Sequence, residues 1–337
     1  MRRVLILGYS VTADKSGFAE FVRSSTALSG MDIEVDVCGV GGLNPLTLAV
    51  LYEGHVKRYG RYDYVFLEIA TSIFGTKITD WAREGLDLFY DLCERIQASS
   101  ARVALINLYR DDFNYPYHVF DMVLESLATR YELPLLDLAA GLIRREGRDF
   151  CRSLLRDVVH TNTIGAEYQA QKVCEFIKSV VQANKPQRHL PDPQYKARAI
   201  DFAPASLHRP PYVFSRSGLQ VDCGVLHAGE SCELVIPPGA RVYGISFISG
   251  PVSGEFTLSF SGIAKPIVVQ TYDEHCYYSR YNFRSFPPIT GGQAVSVNQT
   301  DGLPSYIKLA KGEPDTSARV GRLVALHYFE ENLIRDT

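Results

Sequence analysis

The sequence predicts an α/β protein: a three-layer, doubly wound parallel sheet with helices on both faces, followed by a β-sandwich domain. Two observations carry this prediction. From residue 3 to about residue 182, short β-branched runs alternate with longer amphipathic stretches, whereas beyond residue 200 short strand-like runs follow one another between Gly and Pro turns. A polar, proline-punctuated segment separates the two patterns. The chain has 337 residues, more than one core usually organises, so two domains are expected.

In the first domain, 1–182, strands are expected at 4–7, 33–37, 64–69, 103–107 and 135–138. Apolar residues at helical spacing predict helices over 17–28, 46–59, 78–98, 117–131 and 164–181. The next segment, 183–200, contains Lys185-Pro186-Gln187-Arg188 and Leu190-Pro191-Asp192-Pro193, which suit neither a long helix nor a central strand, and it reads as a linker. In the second domain, 201–337, strands are expected at 219–221, 232–236, 241–248, 255–260, 266–271, 294–298, 306–309 and 322–328. Their short, regular spacing points to a sandwich.

Charge and composition exclude several function classes. The formal net charge is −3 with both signs mixed along the chain, so the concentrated basic face that nucleic acid needs is absent and no nucleic-acid partner is expected. No run approaches the roughly 20 apolar residues of a membrane span. Val4-Leu5-Ile6-Leu7-Gly8, after Met1-Arg2-Arg3, is too short for a secretory core and reads as the first strand. The seven cysteines are odd in number and form no CxxC pair. They fit reduced, packed thiols better than a disulfide framework or a zinc site, which predicts a cytoplasmic protein; neither a metal nor another cofactor is expected.

Two short segments carry candidate chemistry. In Gly8-Tyr9-Ser10-Val11-Thr12, the serine falls between the first strand and the first helix, where open α/β sheets present their ligands. A serine there is more often a helix N-cap. In Asp157-Val158-Val159-His160, residues three apart on a turn can lie on one side, so that the carboxylate holds Nδ1–H and leaves Nε2 facing a serine. An isolated pair of this spacing more often means an aspartate that caps a turn and a surface or packed histidine.

Order and placement make these segments resemble the SGNH (GDSL-like) hydrolase family over residues 3–182. Gly8-Tyr9-Ser10-Val11-Thr12 is similar to the family's GDSxT block, and Asp157-Val158-Val159-His160-Thr161-Asn162 to its terminal DxxHxN block. Gly39-Val40-Gly41-Gly42-Leu43-Asn44 resembles the second block, with Gly42 matching the oxyanion-binding glycine. The run from Tyr64 to Ser72 resembles the strand leading to the third block, and Leu133-Pro134-Leu135-Leu136-Asp137 the strand before the acid and base. The resemblance implies a flavodoxin-like sheet with Ser10 as nucleophile and Asp157 and His160 completing a triad. It also implies an oxyanion hole of Ser10, Gly42 and Ser72. Two positions depart from the pattern: Tyr9 stands where the family has aspartate, and Ser72 where it has the oxyanion asparagine. Tyr9, Asn107 and Asn114 are candidate substrate contacts, and the two asparagines are candidate replacements for the missing donor.

The implied activity is that of a serine-dependent acyl-ester hydrolase or acetyltransferase acting on O-acyl groups of a carbohydrate, particularly O-acetyl. Its partner would be a small-molecule or oligosaccharide ester, joined by an acyl donor such as acetyl-CoA if the protein is a transferase. The competing class is a non-catalytic carbohydrate-binding or assembly protein on a degenerate fold of this family. In the second domain, the segment 272–284 (YDEHCYYSRYNFR) mixes aromatic and charged groups in a way that suits a sugar surface, or equally the packing face of a sandwich. Asp273, Glu274 and His275 are expected to alternate faces on a strand and so not to bind a metal.

Overall fold

The structure is a computed structural model that describes residues 1–41, 47–69, 86–114, 119–205, 209–290, 294–300 and 307–331. The chain divides into two compact units, one formed by Met1–Pro193 with Ser217–Leu219, the other by Gln194–Arg216 with Gln220–Thr337.

The five strands expected in the first unit are present: β1 (Arg2–Gly8), β2 (Ile33–Gly39), β3 (Tyr64–Glu68), β4 (Arg102–Leu108) and β5 (Leu135–Leu138). They form one parallel sheet in the order β2-β1-β3-β4-β5, the flavodoxin-like arrangement. Its helices are α1 (Ser10–Ala13), α2 (Phe18–Arg23), α3 (Thr26–Ser29), α4 (Leu48–Tyr59), α5 (Leu86–Ala98), α6 (Val119–Tyr131), α7 (Ala140–Glu146), α8 (Arg148–Ser153) and α9 (Thr163–Ala183). Val4, Ile6, Phe66 and Ile106 share a core with Phe18 and Val22 of α2 and Val173 and Ile177 of α9. The alternate residues Leu5, Leu7, Val65, Leu67 and Leu105 are equally buried. Burial on both faces explains why these strands read as continuous apolar runs.

Two details of this unit differ from expectation. The helix expected over 17–28 breaks into α2 and α3 at Ser24, whose hydroxyl donates to the carbonyls of Glu20 and Phe21 and so competes with helical continuation. The stretch after β5 holds two unforeseen short helices, α7 and α8, divided by Gly147 at φ 85°.

The expected linker is shorter than its predicted span. Helix α9 runs to Ala183, where Asn184 closes it in the left-handed region. Strand β6 (Tyr195–Asp201) follows, leaving 184–194 without regular structure. Part of this segment is tied down: the Gln187 side chain accepts from the Val103 N–H at 2.8 Å, and Gln97 donates to the Arg188 carbonyl at 3.0 Å. Limited trypsinolysis is expected to cut first at the exposed Arg188–His189 bond, since exposed irregular backbone is cleaved before strands and helices. Fragment masses check this, and first cuts inside the strands of the second unit would disprove it.

The second unit is built entirely of strands apart from one short 3₁₀ turn among the described residues. After β6 come β7 (Tyr212–Arg216), β8 (Leu219–His227), β9 (Ser231–Val235), β10 (Arg241–Ser249), β11 (Glu255–Phe260), β12 (Ile267–Gln270), β13 (Arg280–Ile289), β14 (Ala294–Thr300) and β15 (Val320–Glu331). A six-stranded sheet runs β13-β10-β15-β8-β7, with β6 also paired to β15, and a four-stranded sheet runs β12-β11-β14-β9. Ile245, Phe247, Leu323 and Leu326 of the first sheet share one core with Leu234, Phe256, Leu258, Val295 and Val297 of the second, as in a sandwich. Strands β6 and β7 were not foreseen, and β13 takes up only the last five residues of the segment 272–284 that suited the packing face of a sandwich. β13 carries Pro287 and Pro288, which an edge strand accommodates because one row of its N–H groups needs no partner. The strand expected at 306–309 does not form over Ile307–Leu309, and Tyr306 lies outside the described residues.

Candidate active site

The site is set up by how tightly α1 packs on the C-terminal ends of the strands. A Cβ on Gly8 would fall 2.2 Å from Thr12 Oγ1 and 2.8 Å from the Glu68 carbonyl. One on Gly39 would fall 2.4 Å from the Ala13 nitrogen. Only glycine permits this approach. The helix is tethered from below by Thr12, whose hydroxyl donates to Glu68 Oε2 at 3.0 Å; Glu68 is fully buried at the end of β3. Ser10 opens α1 and is half-buried, and its N–H belongs to the first turn, where helical N–H groups have no intrahelical acceptor. The loop after β2 meets it: a Cβ on Gly41 would lie 3.7 Å from the Ser10 Cβ. Gly42 and Ser72, the other expected oxyanion donors, lie outside the described residues.

Asp157 and His160 are brought together on a closed turn before α9. Leu155 and Thr161 pair as an antiparallel bridge, and the Arg156 N–H donates to the His160 carbonyl at 2.9 Å. Asn162 locks the exit, since its side chain accepts from the Gly165 N–H at 2.9 Å and donates to the Ser153 carbonyl at 2.8 Å. Within the turn, the Asp157 carboxylate accepts from the N–H groups of Val159 at 2.9 Å and His160 at 2.7 Å, and stands 2.9 Å from His160 Nδ1. Partial burial pushes the Asp157 carboxyl up, but the two N–H donors and the imidazole outweigh it and hold the group below its ordinary range. An ionised carboxylate at Nδ1 leaves Nε2 available to accept a proton.

This turn is fastened on two sides. Arg156 reaches the loop after α1, contacting Asp14 Oδ2 at 2.8 Å and donating to Ser16 Oγ at 2.8 Å. On the other side, the Asp111 N–H from the loop after β4 donates to the Val158 carbonyl at 2.9 Å. The Asp111 carboxylate is held by Tyr109 and Arg152. Ser10 makes no hydrogen bond to His160 among the described residues, so the structure joins Asp157 to His160 but leaves Ser10 unjoined. Such bonds often tighten only when substrate binds.

The remaining expected contacts fare differently. Tyr9 is fully buried, and burial, then the charge of Glu68, pushes its phenol well above the ordinary value; a side chain packed in the core does not touch substrate. Asn107 is also buried, and its amide nitrogen is occupied by Asp121 and by Asp137 at 3.4 Å. Neither hydrogen of its amide is left to offer a ligand. Its partner Asp121 is pushed up to about 6, chiefly by burial. Asn114 is exposed in the loop after β4. Residues 271–279 of the second unit form no strand, with a turn over 274–277, so Asp273, Glu274 and His275 do not alternate faces as strand residues would. There the Tyr277 and Tyr278 rings lie 5.0 Å apart, with the Arg216 guanidinium 4.5 Å over Tyr278.

No family model matches the chain, and no curated protein matches it by sequence. Solved structures do match by fold. A two-domain esterase (CEX) active on acetylated mannans superposes with a TM-score of 0.68, at 13% identity, over 98% of this chain and 92% of that one. Crystals of that esterase grown with mannopentaose give 0.64, at 14% identity, over 98% and 91%. The chain shares that two-domain fold. Two residues that carry the site were not foreseen, Glu68 and Arg156. Glu68 did leave a signal, as the one charged residue in the apolar run of β3. Arg156 left none, because its partners lie more than 100 positions away.

Proposed function

We propose that this protein is a serine esterase of the SGNH type that removes O-acetyl groups from a carbohydrate. The observation that carries this reading is the Asp157–His160 pair, held at the C-terminal edge of the sheet by a turn fastened to the loop that follows Ser10. The shared fold with an esterase active on acetylated mannans supports the choice of substrate class.

In the proposed reaction, the Ser10 hydroxyl attacks the acetyl carbonyl while His160 Nε2 takes its proton and Asp157 stabilises the imidazolium. The N–H groups of Ser10 and Gly42 and the hydroxyl of Ser72 hold the negative charge that builds on the carbonyl oxygen. Collapse of the tetrahedral species expels the sugar alkoxide, which takes the proton from His160. Water, activated by the same imidazole, then releases acetate from Ser10. The test is to treat the folded protein with a fluorophosphonate and, separately, to measure acetate released from acetylated mannan. A covalent adduct confined to Ser10, together with acetate release that the adduct abolishes, is expected. A folded protein that neither labels at Ser10 nor releases acetate would refute the proposal.

A further inference from the structure

We infer that Arg156 is a positioning residue, whose guanidinium sets the distance between the helix bearing Ser10 and the turn bearing Asp157 and His160. The inference rests on the serine-esterase reading. Among the described residues, the Arg156 contacts to Asp14 and Ser16 are the only side-chain hydrogen bonds between residues 9–17 and 154–162. Both ends of this clamp are themselves fixed. Asp14 follows directly on α1, and its Oδ1 accepts from the N–H of Ser16 at 3.1 Å and from its hydroxyl at 3.0 Å. The Gly17 N–H donates to the Asp14 carbonyl at 2.9 Å, closing the turn. At the other end Arg156 immediately precedes Asp157, and its own N–H donates to the His160 carbonyl. The planar guanidinium uses separate nitrogens for Asp14 and Ser16, a two-pronged contact that an ammonium reproduces poorly.

The stability contribution of this clamp is modest, because the Arg156 side chain is 43% exposed and solvent screens its charge, although the Asp14 carboxylate is only 12% exposed. The turn stays closed without it through the Leu155–Thr161 bridge, the Asn162 cap and the Asp111–Val158 hydrogen bond. The guanidinium also donates to the Thr161 carbonyl inside the turn, at a long 3.4 Å, so what it chiefly adds is register between two preformed pieces. Serine and imidazole are not yet hydrogen-bonded, so a small drift of one piece against the other acts directly on proton transfer. A displacement of about 1 Å can cost up to ~100-fold in rate.

The experiment compares wild type, Arg156→Ala, Arg156→Lys, Asp14→Ala and the Arg156→Ala/Asp14→Ala pair by steady-state hydrolysis of an activated acetyl ester. Ser10 labelling by fluorophosphonate and thermal unfolding are measured on the same proteins. Arg156→Ala should lower kcat about tenfold or more, with KM nearly unchanged and the melting temperature within a few degrees of wild type. Asp14→Ala should lose a comparable amount and the double variant no more than either single, while Arg156→Lys recovers part of the loss. Wild-type kcat in folded Arg156→Ala, or losses that multiply in the double variant, would overturn the inference while leaving the esterase reading intact. If the alanine variant fails to fold, Arg156→Lys and Asp14→Asn carry the same test: a reduced kcat at constant KM supports the clamp, and wild-type kcat in both overturns it. A wild-type protein that neither labels at Ser10 nor turns over would instead refute the esterase reading, and the inference with it.

Discussion

Ser10→Ala and His160→Ala are each expected to lower turnover of an activated acetyl ester by at least about 10⁴-fold, with the chain still folded. Neither side chain belongs to a hydrophobic core: Ser10 is half-buried at the start of α1, and the His160 side chain is 26% exposed on its turn. Truncation therefore creates no large cavity and leaves the backbone bonds of the turn, including Arg156 N–H to the His160 carbonyl, in place. The Ser10→Ala/His160→Ala double variant should be little worse than either single, because a nucleophile without its base, or a base without its nucleophile, has already lost the function of the pair. Asp157→Asn should keep the turn, since an amide oxygen at Oδ1 can still accept from the Val159 and His160 N–H groups, but it sets an N–H donor against His160 Nδ1 and so disfavours the tautomer that leaves Nε2 free to take a proton. Steady-state rates with circular dichroism on each variant decide the matter. Undiminished activity in a folded Ser10→Ala protein would end the assignment.

The first unit was legible because its sheet is covered on both faces. Every residue from Val4 to Leu7 is buried, so the strand shows as an unbroken apolar run of β-branched and leucine residues. The second unit was less legible at its edges. β13 places two prolines and the exposed Arg284 and Ser285 on an outer strand, and β6 alternates Lys196, Ala197, Arg198 and Ala199, a pattern that resembles a polar connection until β15 is available to pair with it. Helices α7 and α8 are too short for a periodic signal, although α7 begins on a local device, the Asp137 carboxylate accepting from the N–H groups of Ala139 and Gly141 two and four residues on.

The site divides along the same line between local and distant information. Asp157 and His160 are three residues apart and meet through local turn geometry, which their spacing announces. Asn107 was open to misreading because adjacent strand residues face opposite ways. Ile106 and Leu108 pack in the core shared with α2 and α9, so Asn107 turns to the other face and meets Asp121 of α6. Tyr9 is similar: beside the expected nucleophile in sequence, it is directed into the interior in space.

In the second unit, acid is expected to weaken the fold through His327 before its carboxylates are fully protonated. The residue is completely buried on β15, with Nε2 2.8 Å from the Ser246 hydroxyl of β10 and the Phe283 ring packed edge-on at 5.2 Å. Its Nδ1 has no partner, so a second proton there would sit as an unpaired charge in the interior. Burial accordingly lowers the imidazole from its ordinary 6.5 to about 3. Because the folded value lies below the unfolded one, the unfolded chain binds the extra proton between these two pH values. The stabilisation is complete above pH 6.5 and declines as the pH falls towards 3, at ~1.4 kcal/mol per pH unit. Between pH 7 and pH 4.5 the loss should be about 2–3 kcal/mol. His55 in the first unit is also lowered, to about 4 and chiefly by burial, so the total acid sensitivity of the chain cannot be assigned to one residue directly. Comparing wild type with His327→Gln removes that ambiguity, since His55 and the carboxylates contribute equally to both proteins and the Gln amide can still bond Ser246. Denaturant unfolding at pH 7 and 4.5 should show that the variant loses about 2–3 kcal/mol less than wild type across this interval. In the wild-type protein the His327 ring resonances should not titrate above pH 4.5. Equal pH dependence in the two proteins, or a ring that titrates near 6.5 in the folded state, would show that the buried histidine is not what makes the sandwich acid-labile.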